Sequence, residues 1–245
     1  MKNFKMHISY DGSRYNGWQR LKDKNNTIQG KIEDVLSEMT GHKIEIIGSG
    51  RTDKGVHAAN QVANFHVDTE LSANDILEYL NKYLPMDISV RKVEEVGDRF
   101  HSRFNAKQKT YTYRIWNSRV HNVFERKYLY VVEEDLDIER MREAAEKFLG
   151  THDFVAFSSV KKTNKSTVRT LTEASVSQKG TEITITLSGD GFLYNMVRII
   201  CGTIVQIGLG EMEIAQIDKI FESKLRSNAG ITLPAQGLIL TDVEY

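Results

Sequence analysis

The sequence predicts an α+β protein built as two similar halves of mixed strands and helices. Three observations lead there. Apolar patterns of period 2 and period 3.6 alternate along the whole chain, the second half repeats the order of the first as a weak pseudo-repeat, and the two patterns meet near Arg99–Asn105 without a Gly/Ser-rich linker. With 245 residues, of which 40% are hydrophobic and 27% charged, the chain can bury roughly 70–75% of its unfolded surface. It needs no disulfide or structural metal. The expected halves are residues 1–104 and 105–245.

Taken in order, Lys5–Tyr10 alternates as a first strand and ends at the Asp11-Gly12 turn. Thr27 is placed to cap a helix with Ile28, Ile32, Val35, Leu36 and Met39 on one face, and Gly41 stops it. Lys43–Ile47 reads as a short strand running into a glycine-rich loop, and Gln61–Val67 as a longer one. Ser72 opens a helix to about Tyr83, and Ile88–Val96 alternates again. In the second half, Lys109–Trp116 is a strand, and Asp137–Leu149 a helix with Ile138, Met141, Ala145 and Phe148 inward. Leu171–Val176 pairs with Glu182–Leu187 across a Lys179-Gly180 turn. Leu193–Ile207 and Ile214–Phe221 are helices, and Gly237–Val243 is a final strand.

Composition removes several classes of function. One cysteine, Cys201, excludes an intrachain disulfide and a multi-cysteine zinc site and fits a reducing compartment; on an apolar helix it is expected to be buried and inert. The opening residues lack an apolar signal core, and Phe192–Leu209 is interrupted by Asn195, Arg198 and Gln206, so it reads as a buried helix and not a membrane span. The expected location is the cytoplasm. The 33 basic and 33 acidic residues cancel, yet they are segregated. Arg99, Arg103, Lys107, Lys109, Arg114 and Arg119 lie in an acid-free stretch with Phe100, Phe104, Tyr111, Tyr113 and Trp116, and a second such stretch carries Lys161, Lys162, Lys165 and Arg169. Such segregation can offer a basic groove to a polyanion, although one such stretch alone is more often a solvated face.

The loop Ile47-Gly48-Ser49-Gly50-Arg51-Thr52-Asp53-Lys54-Gly55-Val56-His57-Ala58 carries the strongest chemical signal. It fails as a dinucleotide fingerprint, because Asp53 stands where glycine is required. It fails as a P-loop, because Val56-His57 replaces the Lys-Ser/Thr pair. Two readings of Asp53 stay open on these residues alone: a turn aspartate that caps a helix or pairs with a nearby cation, and a nucleophile or acid/base kept ionised by Arg51 and Lys54. His57, His101 and His152 are not spaced as metal ligands and are expected to be structural.

The segment Gly50–Ala58 resembles the signature of the TruA family of tRNA pseudouridine synthases. The likeness continues through Tyr10-Asp11-Gly12 with Tyr15–Gln19, Phe100–Ala106, Lys109–Tyr113, His152–Phe154, Gly191–Arg198 and Gly237-Leu238. Asn195 departs from the histidine common in the family, and Thr110 from an arginine found in some members. The resemblance implies the pseudouridine synthase fold, with largely antiparallel sheets joined across a central basic cleft. It also implies isomerisation of uridine at positions 38, 39 and 40 of the tRNA anticodon stem-loop by a homodimer.

By the matching motif, Asp53 would be the catalytic nucleophile; attack on ribose C1′, attack on uracil C6 and an elimination route are all compatible with it. Tyr111 would stack on the extruded uracil and assist removal of its C5 proton, whereas a tyrosine alternating with Tyr113 and Ile115 could also be simple core. Arg198 would pair with Asp53, Leu238 would pack against the base or the tyrosine, and Arg51 would fill the stem or steer the flipped nucleotide. The reaction makes no bond to an outside group, so no ATP, nicotinamide, metal or other cofactor is expected. Two other functions compete: a non-catalytic tRNA-binding or folding protein of the same fold, disfavoured by the retention of Asp53, Tyr111 and Arg198, and a metal-dependent nuclease, disfavoured by the lack of clustered carboxylates.

Overall fold

A computed structural model of the chain describes residues 1–21, 26–160 and 165–245. It divides by backbone contacts into two compact units, Met1–Lys107 with Ile239–Tyr245, and Gln108–Leu238. The expected boundary at 104/105 differs from this division at the end of the chain, where the last strand returns to the first unit.

The first unit begins with strand β1 (Lys2–Tyr10), whose alternate residues Phe4, Met6, Ile8 and Tyr10 are buried. Helix α1 (Ile28–Thr40) starts where Thr27 Oγ1 accepts the Gly30 amide and stops at Gly41, whose φ of +71° suits glycine. Strand β2 is only Ile47–Gly48. The expected strand over Lys43–Ile47 does not form, because α1 side chains take its amides: Ile44 donates to Ser37 Oγ (2.9 Å) and Ile46 to Glu33 Oε1 (3.0 Å). The alternation of buried Ile44 and Ile46 was real, but it packs a segment without a strand partner.

Strand β3 (His57–Val67) pairs antiparallel with β1 and with β2, and its near-continuous burial is that of a central strand. A capping box formed by Ser72 and Asp75 opens helix α2 (Ala73–Tyr83), which packs on β4 (Ile88–Val96), the antiparallel neighbour of β1.

In the second unit, β5 (Gln108–Asn117) pairs antiparallel with β9 (Glu182–Gly189), which pairs with β8 (Val168–Lys179), which pairs with β7 (Gly150–Asp153). The β8–β9 hairpin turns through Gly180, φ +61°, with Lys179 opposite Glu182. The short strands β6 (Tyr130–Val132), parallel to β5, and β7 carry too few residues to show an alternation in sequence. Helix α3 (Ile138–Glu146) is capped by Asp137, and its expected continuation to Leu149 is a tight turn. Helix α4 (Met196–Gly208) starts later than the expected Leu193, because Asn195 adopts φ +60° and breaks the helical path. Helix α5 (Gln216–Ser223) sends Phe221 into an aromatic cluster with Phe148, Phe154 and Phe157. Cys201 lies wholly within the core, and burial pushes its thiol pKa up, away from reactivity.

The last strand, β10 (Leu238–Glu244), runs parallel to β3, with Ile239 opposite His57 and Leu240 opposite Ala58. It therefore abuts the residues that directly follow the Asp53 loop. Within each unit the strands pair largely antiparallel and are accompanied by helices, the α+β architecture the patterning predicts. Among the described residues no helix is long and apolar enough to cross a membrane.

A cross-strand charge pair makes the first sheet acid-sensitive. Lys5 on β1 faces Glu94 on β4, Nζ to Oε1 2.5 Å, and Lys92 adds a second contact; these cations hold the Glu94 carboxyl at about 2. Because the folded pKa is depressed, the stabilisation is present above the ordinary glutamate range and is lost as pH falls from about 5 toward 2. Glu94→Gln should cost about 1 kcal/mol or less at pH 7, the limit for a solvent-screened pair, and nothing near pH 2. Urea unfolding of both proteins across that range measures the converging difference.

Candidate active site

The Asp53 loop is fixed by its backbone. Ser49 N donates to Val62 O (2.7 Å), Ser49 Oγ to Gln61 Oε1 (2.5 Å), and Gln61 Nε2 to Gly50 O (3.2 Å). Thr52 Oγ1 lies 2.8 Å from the Tyr10 hydroxyl, and Thr52 O accepts the Trp18 amide at 3.0 Å. Val56 N donates to Asp53 O (3.1 Å), closing a four-residue turn whose third residue, Gly55, has φ +82°. Ser49, Thr52 and Val56 are buried, Asp53 is half-buried, and Arg51 and Lys54 are exposed. The aspartate thus precedes a strand and does not cap a helix, which removes half of the turn-residue explanation for it.

Segment 10–19 presses on this loop from within the same unit. A Cβ on Gly12 would stand 1.9 Å from Val56 O, one on Gly17 2.7 Å from Thr52 O, and one on Gly48 2.7 Å from the Trp18 ring. Gly17 also has φ +90°. These contacts give a physical reason for two of the motifs noted in the sequence: the glycines of Tyr10-Asp11-Gly12 and Tyr15–Gln19 are the surface on which the Asp53 loop rests. His57 is buried, and its Nδ1 receives the Gly12 amide at 3.0 Å.

A chain of amide side chains leads from the loop into helix α1. Arg51 Nε donates to Gln19 Oε1 (2.7 Å), Gln19 Nε2 to Gln29 Oε1 (2.7 Å), and Gln29 Nε2 to Glu33 Oε1 (2.8 Å). Gln29 and Glu33 are buried. The exposed Arg51 side chain is therefore aimed by residues that the sequence reading did not single out for this task. The only sequence signal was Gln19 itself, at the end of the Tyr15–Gln19 motif.

Tyr111, Arg198 and Leu238 belong to the second unit. Tyr111, on β5, is 8% exposed and meets the Phe192 ring edge-on at 5.1 Å. Arg198, in the first turn of α4, donates Nε to Leu233 O (2.6 Å) and Nη1 to Asn195 Oδ1 (2.9 Å). Asn195 Nδ2 in turn donates to Ser159 Oγ (3.1 Å). The residue that departs from the family's histidine thus serves twice, taking a left-handed backbone that asparagine tolerates and orienting the arginine.

A strap over residues 230–234 lies flush on α4 because position 202 is glycine, where a Cβ would stand 2.0 Å from Ile231 O. Gly230 N bonds Thr203 Oγ1, Ile231 N bonds Gln206 Oε1, and the Tyr113 hydroxyl bonds Pro234 O. The strap delivers the buried Leu238 at its end.

The basic stretches are unequal in what they present. Arg99, Arg103, Lys107 and Arg119 are exposed and Lys109 is half-buried, but Arg114 is engaged by Glu182 and Glu125, each at 2.6 Å. Of the second stretch, Lys165 is exposed and Arg169 half-buried, while Lys161 and Lys162 lie outside the described residues. His152 stacks on Phe221 at 4.6 Å and its Nε2 lies 2.8 Å from Leu149 O, and His101 is held in a turn.

These features define a two-unit α+β protein, one unit offering a carboxylate on a rigid glycine-bent loop and the other a strapped arginine and a shielded tyrosine. The family model described as tRNA pseudouridine synthase matches residues 6–105 and 144–245. The chain is 53% identical over 245 residues to a Bacillus sp. protein named tRNA pseudouridine synthase A, covering 100% of both chains. It is 50% identical, again over 100% of both, to tRNA pseudouridine synthase A 2 of Bacillus cereus, and 44% identical, with the same coverage, to tRNA pseudouridine synthase A of Acetivibrio thermocellus. The chain belongs to the tRNA pseudouridine synthase family, a family of isomerases.

Gly17→Ala combines a positive-φ cost with a clash against Thr52 O. It should lower stability by roughly 1–3 kcal/mol in urea unfolding and raise amide hydrogen exchange at Thr52–Val56. Unchanged exchange there would show that segment 10–19 does not hold the loop.

Proposed function

We propose that this chain isomerises uridine to pseudouridine at positions 38, 39 and 40 in the anticodon stem-loop of tRNA, acting in the cytoplasm as a homodimer, with Asp53 as nucleophile. The observation that carries the reading is the Asp53 loop: its backbone is hydrogen-bonded and glycine-packed, it holds one half-buried carboxylate between exposed Arg51 and Lys54, and it bears the family motif. A carboxylate held this way loses little freedom on engaging substrate, which is what positioning contributes to rate.

In the reaction the N1–C1′ bond breaks, the uracil turns while held, the C5–C1′ bond forms, the C5 proton leaves and N1 gains a proton. The first half of the chain carries the aspartate, and the second the tyrosine and arginine. Tyr111 supplies a flat face for the extruded base and a hydroxyl to assist departure of the C5 proton. Arg198 is the partner that keeps Asp53 ionised and aimed; Leu233 O and Asn195 Oδ1 fix its guanidinium direction. Leu238 packs on the base or on Tyr111. Arg51, aligned by Gln19, fills the space vacated in the stem or steers the flipped nucleotide. Recognition rests on shape and backbone contacts, for which exposed Arg99, Arg103 and Lys107 provide charge.

Purified protein incubated with a uridine-containing tRNA transcript, without metal or nucleotide, should form pseudouridine in the anticodon arm. Asp53→Asn should form none while binding tRNA within about two-fold of the parent. Binding without product by the parent would instead favour the non-catalytic RNA-binding function. For the arginine, Asn195→Gly keeps the left-handed backbone and deletes the Oδ1 acceptor, so kcat should fall roughly ten-fold with little change in KM. Asn195→Asp, which retains the acceptor, should restore most of it.

A further inference from the structure

Residues 97–105 form a turn built with unusual care for a surface segment. Asn3, Asn64 and Ser102 are all 0% exposed. Asn3 Nδ2 donates to Gly97 O (3.1 Å) and Phe100 O (3.0 Å), Asn64 Nδ2 donates to Asn3 Oδ1 (3.0 Å), and Ser102 donates both its amide and its hydroxyl to Asn64 Oδ1, each at 2.9 Å. The Tyr245 hydroxyl donates to Ser102 O (2.8 Å). Burying so many polar groups costs free energy unless each is matched, so a fully matched set specifies one conformation of the turn.

That conformation displays an aromatic ring. Phe104 is 76% exposed, and its ring stacks on His101 with centroids 4.2 Å apart and planes 29° from parallel. The His101 ring is held in turn by the amides of Arg103 and Phe104, which point at its Nδ1 from 3.2 and 3.3 Å. Arg99, Arg103 and Lys107 are exposed around it, and Asp98 is the last acid before Glu125. A large apolar ring held in water among cations suits a ligand that is both flat and anionic.

We propose that Phe104, backed by His101, is a stacking platform for an unpaired nucleobase of the tRNA, with Arg103 on the adjoining phosphate. The proposal rests on tRNA being the substrate, and it adds a site of base contact outside the segment that carries Asp53. Its ligand is a single-stranded nucleotide, since a base within a duplex has no free face to offer.

The test compares binding of the full chain to an anticodon-arm hairpin with an unpaired loop and to a fully paired RNA duplex of equal charge. Phe104→Ala should weaken hairpin binding roughly ten-fold and leave duplex binding unchanged, while Phe104→Tyr should bind both as the parent does. Arg103→Gln should weaken both and reduce the salt slope by about one. A 2-aminopurine placed in the loop should be quenched by the parent and not by Phe104→Ala at saturating protein. Phe104 is mostly exposed, so these variants should melt within a few degrees of the parent. Hairpin binding by Phe104→Ala equal to the parent's overturns the proposal, as does an equal loss on hairpin and duplex. A loss that tracks a shift in sedimentation of the free protein also overturns it, because the ring would then serve contact between copies of the chain. If the parent binds no hairpin at all, the substrate reading falls first and the platform falls with it.

Discussion

The close approach of segment 12–18 to the Asp53 loop is the constraint on which the rest of the first unit depends. Backbone lies on backbone at Gly12 and Gly17, and backbone lies on the Trp18 ring at Gly48, at separations that a single methyl group would abolish. Hydrogen bonds then follow from proximity: Trp18 N reaches Thr52 O, and Gly12 N reaches His57 Nδ1. The outcome is a loop with the rigidity of a strand although it has the backbone path of a turn. A carboxylate placed there has its backbone position set by the fold, which suits a group that must exchange partners during a reaction.

The second unit solves a similar problem by other means. Arg198 sits among apolar neighbours in α4, where an unmatched guanidinium would be costly. The strap over 230–234 meets part of that need with the Leu233 carbonyl, and Asn195 supplies another acceptor from the left-handed residue that begins the helix. Two irregularities, a positive φ at a non-glycine residue and a helix glycine pressed by a carbonyl, thus serve one charged side chain. They fall where function is proposed, as backbone strain commonly does.

Much of this was legible in the sequence, for identifiable reasons. Helix caps at Thr27 and Ser72, the Gly41 stop and the Gly180 hairpin use local chemistry that acts within four residues, so pattern reading reaches them. The Lys43–Ile47 strand was misjudged because Glu33 and Ser37, one helix away, take its amides, and that competition has no local signature. The start of α4 was misplaced because Asn195 takes a left-handed backbone, which a helical pattern of apolar residues does not reveal. At the site, Asp53 is a candidate through the family resemblance of its motif, whereas the Gln19–Gln29–Glu33 chain behind Arg51 depends on α1 lying beside the loop. Arg114 shows the reverse failure. Its charge counted toward a basic face in the sequence but is consumed by Glu182 and Glu125 in the fold.

The return of β10 to the first unit sets an order in time. Met1–Lys107 emerges from the ribosome as a sheet still lacking the strand that will lie parallel to β3, beside His57 and Ala58. The whole of Gln108–Leu238 must be synthesised before that strand exists, an interval on the order of ten seconds at ordinary elongation rates. During it the flank of the Asp53 loop is an open edge, and strand edges are where nascent chains pair wrongly. The loop's neighbourhood is completed only after Gln108–Leu238 has been made, when the second unit has already had time to fold.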